Sequence, residues 1–127
     1  MNYYAVSRDY QGGTFGMYRA ISAKDWGETA CDWVSDSETP ESWLLENYDC
    51  EEDLIRDISD WFELEFVKLN RQQKEKYDKL LHKIDKKSSD WYDAYEKGNM
   101  PRCYLIDESR LKLEDELDKL LKSASKV

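Results

Sequence analysis

A chain of 127 residues with 40% apolar residues, 37% charged residues and a formal net charge of −9 can bury a core, but is a poor nucleic-acid binder through bulk charge. No run of about 18 apolar residues occurs, which excludes a membrane-spanning helix, and "MNYYAVSRDY" has neither a basic leader nor an apolar core, so no signal peptide is expected. Cys31, Cys50 and Cys103 are odd in number and widely spaced, which predicts reduced thiols in a cytoplasmic setting.

In chain order, "NYYAVSR" and "FGMYRAI" are aromatic and β-branched runs separated by "DYQGGTFG", a pattern that predicts an antiparallel hairpin. Tyr4 and Val6 share one face of it, with Met17 and Ile21 on one face of the partner strand. Ser22 is placed to cap a helix, Asp25 completes a capping box, and Trp26, Ala30, Trp33 and Val34 recur at helical spacing. Thr39, Pro40 and Glu41 read as the start of a short second helix presenting Trp43, Leu44 and Tyr48.

Asp49 and Glu52 predict the next helix start, with Leu54, Ile55, Ile58, Trp61 and Phe62 as its apolar stripe. "FELEFVKL" then switches to period two and predicts a strand, with a continuing helix as the alternative. Asn70 and Gln73 cap a helix over 71–87, which Ser88 and Ser89 are expected to break. "DWYDAYEK" is expected to be a short helix stopped by Gly98, and "RCYLID" a strand after Met100-Pro101. A last helix spans about 108–123. The expected fold is a single α+β domain over 1–127. It has a small, mostly antiparallel sheet and five to six helices in the order ββαααβααβα.

Charge is distributed unevenly. Residues 23–66 hold fifteen acids and two bases, whereas residues 67–88 hold eight bases and three acids. Sustained repulsion of one sign costs stability, and such a field suits steering and holding a basic partner. The candidate contact residues are Asp36, Glu38, Glu41, Glu46, Glu52, Asp53, Asp57 and Asp60, with Trp43 or Tyr48 as an aromatic anchor. Against this stands the plainer account of a solvated helix face, with Arg56 paired to Glu52 and Asp60 at four-residue spacing.

Catalytic patterns are missing. Cys31, Cys50, Cys103 and the lone His82 show no metal-ligand spacing, "GGTFG" lacks the Lys-Ser/Thr of a phosphate loop, and "DCEEDLIRDISD" lacks the sixth-position Gly of a calcium loop. No catalytic residue, metal or other cofactor is therefore expected.

The acids in "DWGETACDWVSDSETPESWLLENYDCEEDLIRDISDWFELE", in a short chain without catalytic motifs, resemble in general character small acidic phage-encoded anti-defence proteins. These include anti-CRISPR inhibitors, some of which act as DNA mimics. The resemblance implies a non-enzymatic inhibitor, in the host cytoplasm if phage-encoded, that blocks a basic nucleic-acid-handling protein, foremost a CRISPR effector nuclease. Net charge and the lack of a long apolar run lead to no expectation of direct nucleic-acid or membrane binding. An immunity protein that neutralises a nuclease toxin would use the same surface. The further alternatives are a homodimeric regulatory protein, its basic helix 71–87 meeting the acidic third, and a cryptic metal-dependent enzyme using Cys31, Cys50, Cys103 and His82.

Overall fold

"YYAVSRD" forms the first strand, β1 (Tyr3–Asp9), and buries Tyr4, Ala5 and Val6 in succession, so both of its faces are covered there. The computed structural model describes residues 1–10, 19–34 and 43–127. The expected return strand of the hairpin falls largely outside them. Of its described part, Ile21 bridges Tyr4: the Tyr4 amide donates to the Ile21 carbonyl at 2.7 Å, and the Ile21 amide donates back at 3.1 Å.

The ladder of β1 is made with β2 (Leu64–Leu69), the strand expected from the period-two run. The pairing is antiparallel, with Tyr3 opposite Leu69 and Asp9 opposite Leu64, and it slips between Val6 and Arg8. The Ser7 hydroxyl at the slip donates to the Glu65 carbonyl at 3.1 Å. A third strand, β3 (Ser125–Lys126), was not anticipated and pairs antiparallel with Val67 and Lys68. Two residues carry too little periodicity to be seen in a sequence.

Ser22 caps α1 (Ala23–Trp33), accepting the Asp25 amide at 3.2 Å. Trp26 enters the core, where its indole donates to the buried Tyr4 carbonyl at 2.8 Å. The expected helix start at Thr39–Pro40 lies outside the described residues, and the segment after Trp43 makes only a single 3-10 turn, Leu45–Asn47. α2 (Glu51–Phe62) starts one residue later than expected, after Cys50 rather than Asp49. Cys50 offers no side-chain cap, but Glu51, Glu52 and Asp53 stand at the positive end of the helix dipole. Leu54, Ile55, Ile58 and Phe62 are buried, whereas Trp61 is 48% exposed and flanks the stripe.

Glu63 ends α2 in the left-handed region (φ 54, ψ 49), turning helix into strand without a loop. The Ser59 hydroxyl fastens that turn by donating to the Leu64 carbonyl. A core of Tyr4, Trp26, Trp43, Leu54, Ile55, Ile58, Phe62 and Phe66 fills the space between α1, α2 and the sheet. Its rings meet edge-on, Trp26 with Phe66 at 5.0 Å and Trp33 with Phe62 at 5.2 Å, the arrangement aromatic quadrupoles favour.

Two expectations fail in the second half. α3 runs unbroken through Ser88 and Ser89 (Arg71–Glu96). Serine lowers helix propensity by only a few tenths of a kcal/mol, so it interrupts nothing where flanking turns pack. The capping box at its start is as expected: the Gln73 amide donates to Asn70 Oδ1 at 2.8 Å, and the Asn70 amide to Gln73 Oε1 at 2.9 Å. "RCYLID" is not a strand but part of α4 (Met100–Ser123). Pro101 lies in the first turn, where a backbone N–H has no intrahelical acceptor, so proline removes no bond. Asn99 Oδ1 accepts the Arg102 amide at 3.3 Å and supplies a cap.

Gly98 stops α3 as expected, at φ 71. The Asn99 amide reaches the Ala94 carbonyl at 2.9 Å and the Gly98 amide the Tyr95 carbonyl at 3.0 Å, a Schellman closure. The described residues thus give an α+β fold with four α-helices and three antiparallel strands, not five to six helices. The chain divides into two compact units, one of Met1–Lys74 with Ala124–Val127, the other of Glu75–Ser123. No helix among the described residues is long and apolar enough to cross a membrane.

Candidate functional site

The inward stripe of α2 forces Glu52, Asp53, Arg56, Asp57 and Asp60 to its outer side. Arg56 contacts Asp53 at 3.0 Å and Glu52 at 3.7 Å. Lys68 on β2 reaches Glu52 at 2.7 Å. The hydrogen bond and charge of Lys68 hold the Glu52 carboxyl below the usual carboxylate range, and the same bond raises Lys68. The pair is partly solvated, so salt screens it.

Two phenols tie acids to the fold. The Tyr48 hydroxyl donates to Asp57 at 2.8 Å, and burial followed by that bond pushes Tyr48 up to about 12. Glu51 accepts the Tyr4 hydroxyl and the Asn2 amide, both at 3.0 Å, on one oxygen. Burial, then the bond to Glu51, raises Tyr4 well above the ordinary phenol value.

The other carboxylates are different in kind. Glu46, Asp49, Asp60 and Glu63 are exposed and have no ion-pair or hydrogen-bond partner among the described residues. The same holds for Asp25, Glu28 and Asp32 of α1, whose spacing places them on one helix face, away from the buried Trp26 and Ala30. Asp49 and Glu63 were not among the residues expected from the sequence, and neither were those three. Their i, i+3, i+7 spacing was the available signal, weaker than the denser acidic run of α2.

The remaining expected positions divide clearly. Asp36, Glu38 and Glu41 lie outside the described residues. Glu52 and Asp53 are partly neutralised by Lys68 and Arg56, and Asp57 keeps its charge but accepts the Tyr48 hydroxyl on one oxygen. Arg56 pairs with Asp53 instead of the expected Asp60. Trp43 is 2% exposed and packs against Trp61 at 5.7 Å and Phe62 at 5.6 Å, so it is a core residue and presents no ring to solvent. The ring presented on this side is Trp61, one turn beyond Asp57.

A cavity of about 540 Å³ opens where α2 passes into β2, with Asp60, Glu63 and Glu65 around a floor of Leu64, Phe66 and Val127. Glu65 accepts the Tyr10 hydroxyl at 3.0 Å and lies 3.6 Å from Lys126. With its other two carboxylates unpaired, this mouth suits a cation and repels an anion.

The thiols are dispersed: Cys31 on α1, exposed Cys50 before α2, and buried Cys103 on α4, while His82 is exposed on α3. Among the described residues, no three His, Cys, Asp or Glu side chains are grouped to hold a metal ion. Comparison with family models, with curated proteins and with solved structures finds no match to this chain.

Proposed function

We propose that the protein is a non-enzymatic inhibitor that binds a basic, nucleic-acid-handling protein through the acidic surface of its first unit, a CRISPR effector nuclease being the expected partner. The observation that carries this reading is the set of exposed, unpartnered carboxylates of the first unit, Asp25, Glu28 and Asp32 on α1 with Glu46, Asp49, Asp60 and Glu63. Carboxylates that serve the fold are held by Lys68, Arg56, Tyr4 or Tyr48. Those without partners repel one another and give nothing to stability until a cationic surface arrives. A groove lined by Lys and Arg to grip phosphates is such a surface. Trp61 would add an exposed ring beside Asp57 and Asp60.

The test is inhibition of DNA cleavage by a panel of purified CRISPR effector nucleases, with Glu28→Lys, Asp32→Lys, Glu46→Lys and Asp60→Lys combined in one variant. None of the four supports the fold, so the variant should remain folded. The wild type should inhibit stoichiometrically and lose affinity as salt rises, and the variant should bind roughly 100-fold more weakly or worse. Inhibition of no effector overturns the CRISPR assignment. Equal inhibition by both proteins, insensitive to salt, overturns the electrostatic basis.

A further inference from the structure

The second unit carries a surface that the acidic reading does not use. α3 and α4, of 26 and 24 residues, meet along a seam where Trp91 and Ala94 pack on Cys103 and Ile106. The three residues between them make the pair an antiparallel hairpin. A two-helix hairpin has one seam and leaves most of its surface bare. Tyr92 (64%), Tyr95 (55%), Met100 (39%), Tyr104 (64%) and Leu111 (60%) are accordingly exposed.

These five residues fall together. At about 100° per residue, Tyr92 and Tyr95 lie to one side of the α3 seam, and Met100, Tyr104 and Leu111 form a stripe to one side of the α4 seam. Because the helices are antiparallel, both sides are the same side of the hairpin. The reverse side is mostly polar, with Lys83, Lys86, Lys87 and Lys112 around a cleft of about 400 Å³, and exposes Leu105 singly. Trp91 stacks flat on Tyr95 at 5.2 Å and backs the aromatic side.

We infer that this aromatic face is the contact between two copies of the chain, which pair hairpin to hairpin as a four-helix bundle. Three observations favour a second copy over a different partner. A large side chain presents about 150–250 Å². At the exposures given, the five leave on the order of 500 Å² per copy, so two copies cover roughly 1,000 Å², the lower bound of a specific interface, before any polar rim is added. The second unit has eleven Lys and Arg against twelve Asp and Glu, net −1, whereas the first carries −8. Two copies therefore meet here with little net repulsion, as they cannot through their first units. Finally, the nearby α4 charges are already paired within the helix, Arg110 with Asp107 and Glu114, and Lys122 with Asp118, so the rim asks for no charged partner.

This differs from pairing of the basic helix with the acidic segment, which salt would weaken. It is also independent of the proposed inhibitor activity. Sedimentation equilibrium of the full chain at tens of micromolar tests it in about 0.1 M and about 1 M NaCl, where the screening length falls from about 10 to 3 Å. The expected mass is twice 15.1 kDa at both salts. Tyr104→Lys with Leu111→Lys should weaken association at least 100-fold, while Leu105→Lys, equally exposed but on the reverse side, should leave it unchanged. If the double variant loses helicity by circular dichroism, Tyr92→Lys gives the same reading from the other helix. A monomer at both salts, a dimer lost in 1 M NaCl, or a dimer indifferent to the Tyr104, Leu111 and Tyr92 changes would each overturn the inference.

Discussion

Gly27→Ala is expected to destabilise the protein, although alanine is the better helix former. In the interior of an exposed helix the change stabilises by about 1 kcal/mol. Here Gly27 is buried on α1, and a Cβ at that position would overlap the Trp43 carbonyl oxygen outright, stand 3.3 Å from the Trp43 carbonyl carbon and touch Leu54 at 3.4 Å. The obstacle is backbone and cannot rotate aside. Relief requires the Trp43 segment to move, and the Trp43 ring would move with it from its contacts with Trp61 and Phe62. Overpacking of a filled core costs about 3 kcal/mol at the upper end, so the net loss is about 2 kcal/mol. With a urea m-value of about 2 kcal/mol/M, the midpoint falls by about 1 M. Tryptophan fluorescence through a urea titration reads it directly. A Gly27→Ala midpoint equal to or above that of the wild type would refute the close approach of α1 to the Trp43 backbone.

Gly98→Ala isolates the opposite case. No atom lies within 4 Å of a Cβ there, but φ is +71°, so only backbone strain opposes the change. A loss of about 1 kcal/mol is expected, and Gly98→Asn, which tolerates the left-handed region, should recover part of it in thermal melts. Tyr48 and Tyr4 give a prediction for alkaline pH. Both phenols are raised in the folded state, so the stability they contribute is complete below pH 10; the Tyr48 share is lost as pH climbs through about 12, and the Tyr4 share at higher pH still. Tyr48→Phe should flatten the fall of stability above pH 10. Absorbance at 295 nm should show Tyr4 and Tyr48 ionising late, and all nine tyrosines titrating together would refute it.

Local signals in the chain proved sound wherever a few adjacent residues settle the outcome. The Ser22 cap, the reciprocal Asn70–Gln73 box and the Gly98 stop were legible because each is satisfied by atoms within five residues, and β2 was legible from its period-two run although its partner strand is distant in sequence. The acid-rich run was legible as charge, and periodicity alone sent Asp60 outward and Leu54, Ile55 and Ile58 inward.

What the sequence could not decide was competition between signals, and contacts between distant residues. Ser88–Ser89 and Met100–Pro101 look like breaks when weighed singly, yet long helices absorb a weak propensity and a proline in the first turn. Trp43 and Trp61 are both large and apolar, and nothing in their neighbours reveals that the first is buried and the second exposed. That depends on where the Trp43 segment crosses Gly27. The division of the carboxylates is of the same kind. Lys68 and Tyr4 lie sixteen and forty-seven residues from the acids they hold, so only tertiary structure separates acids that serve the fold from those left facing solvent. Composition and periodicity determined the sign of this surface and the faces of its helices. The pairing across the fold determined which of its charges remain available, because hydrogen bonds and ion pairs act over about 3–4 Å irrespective of separation along the chain.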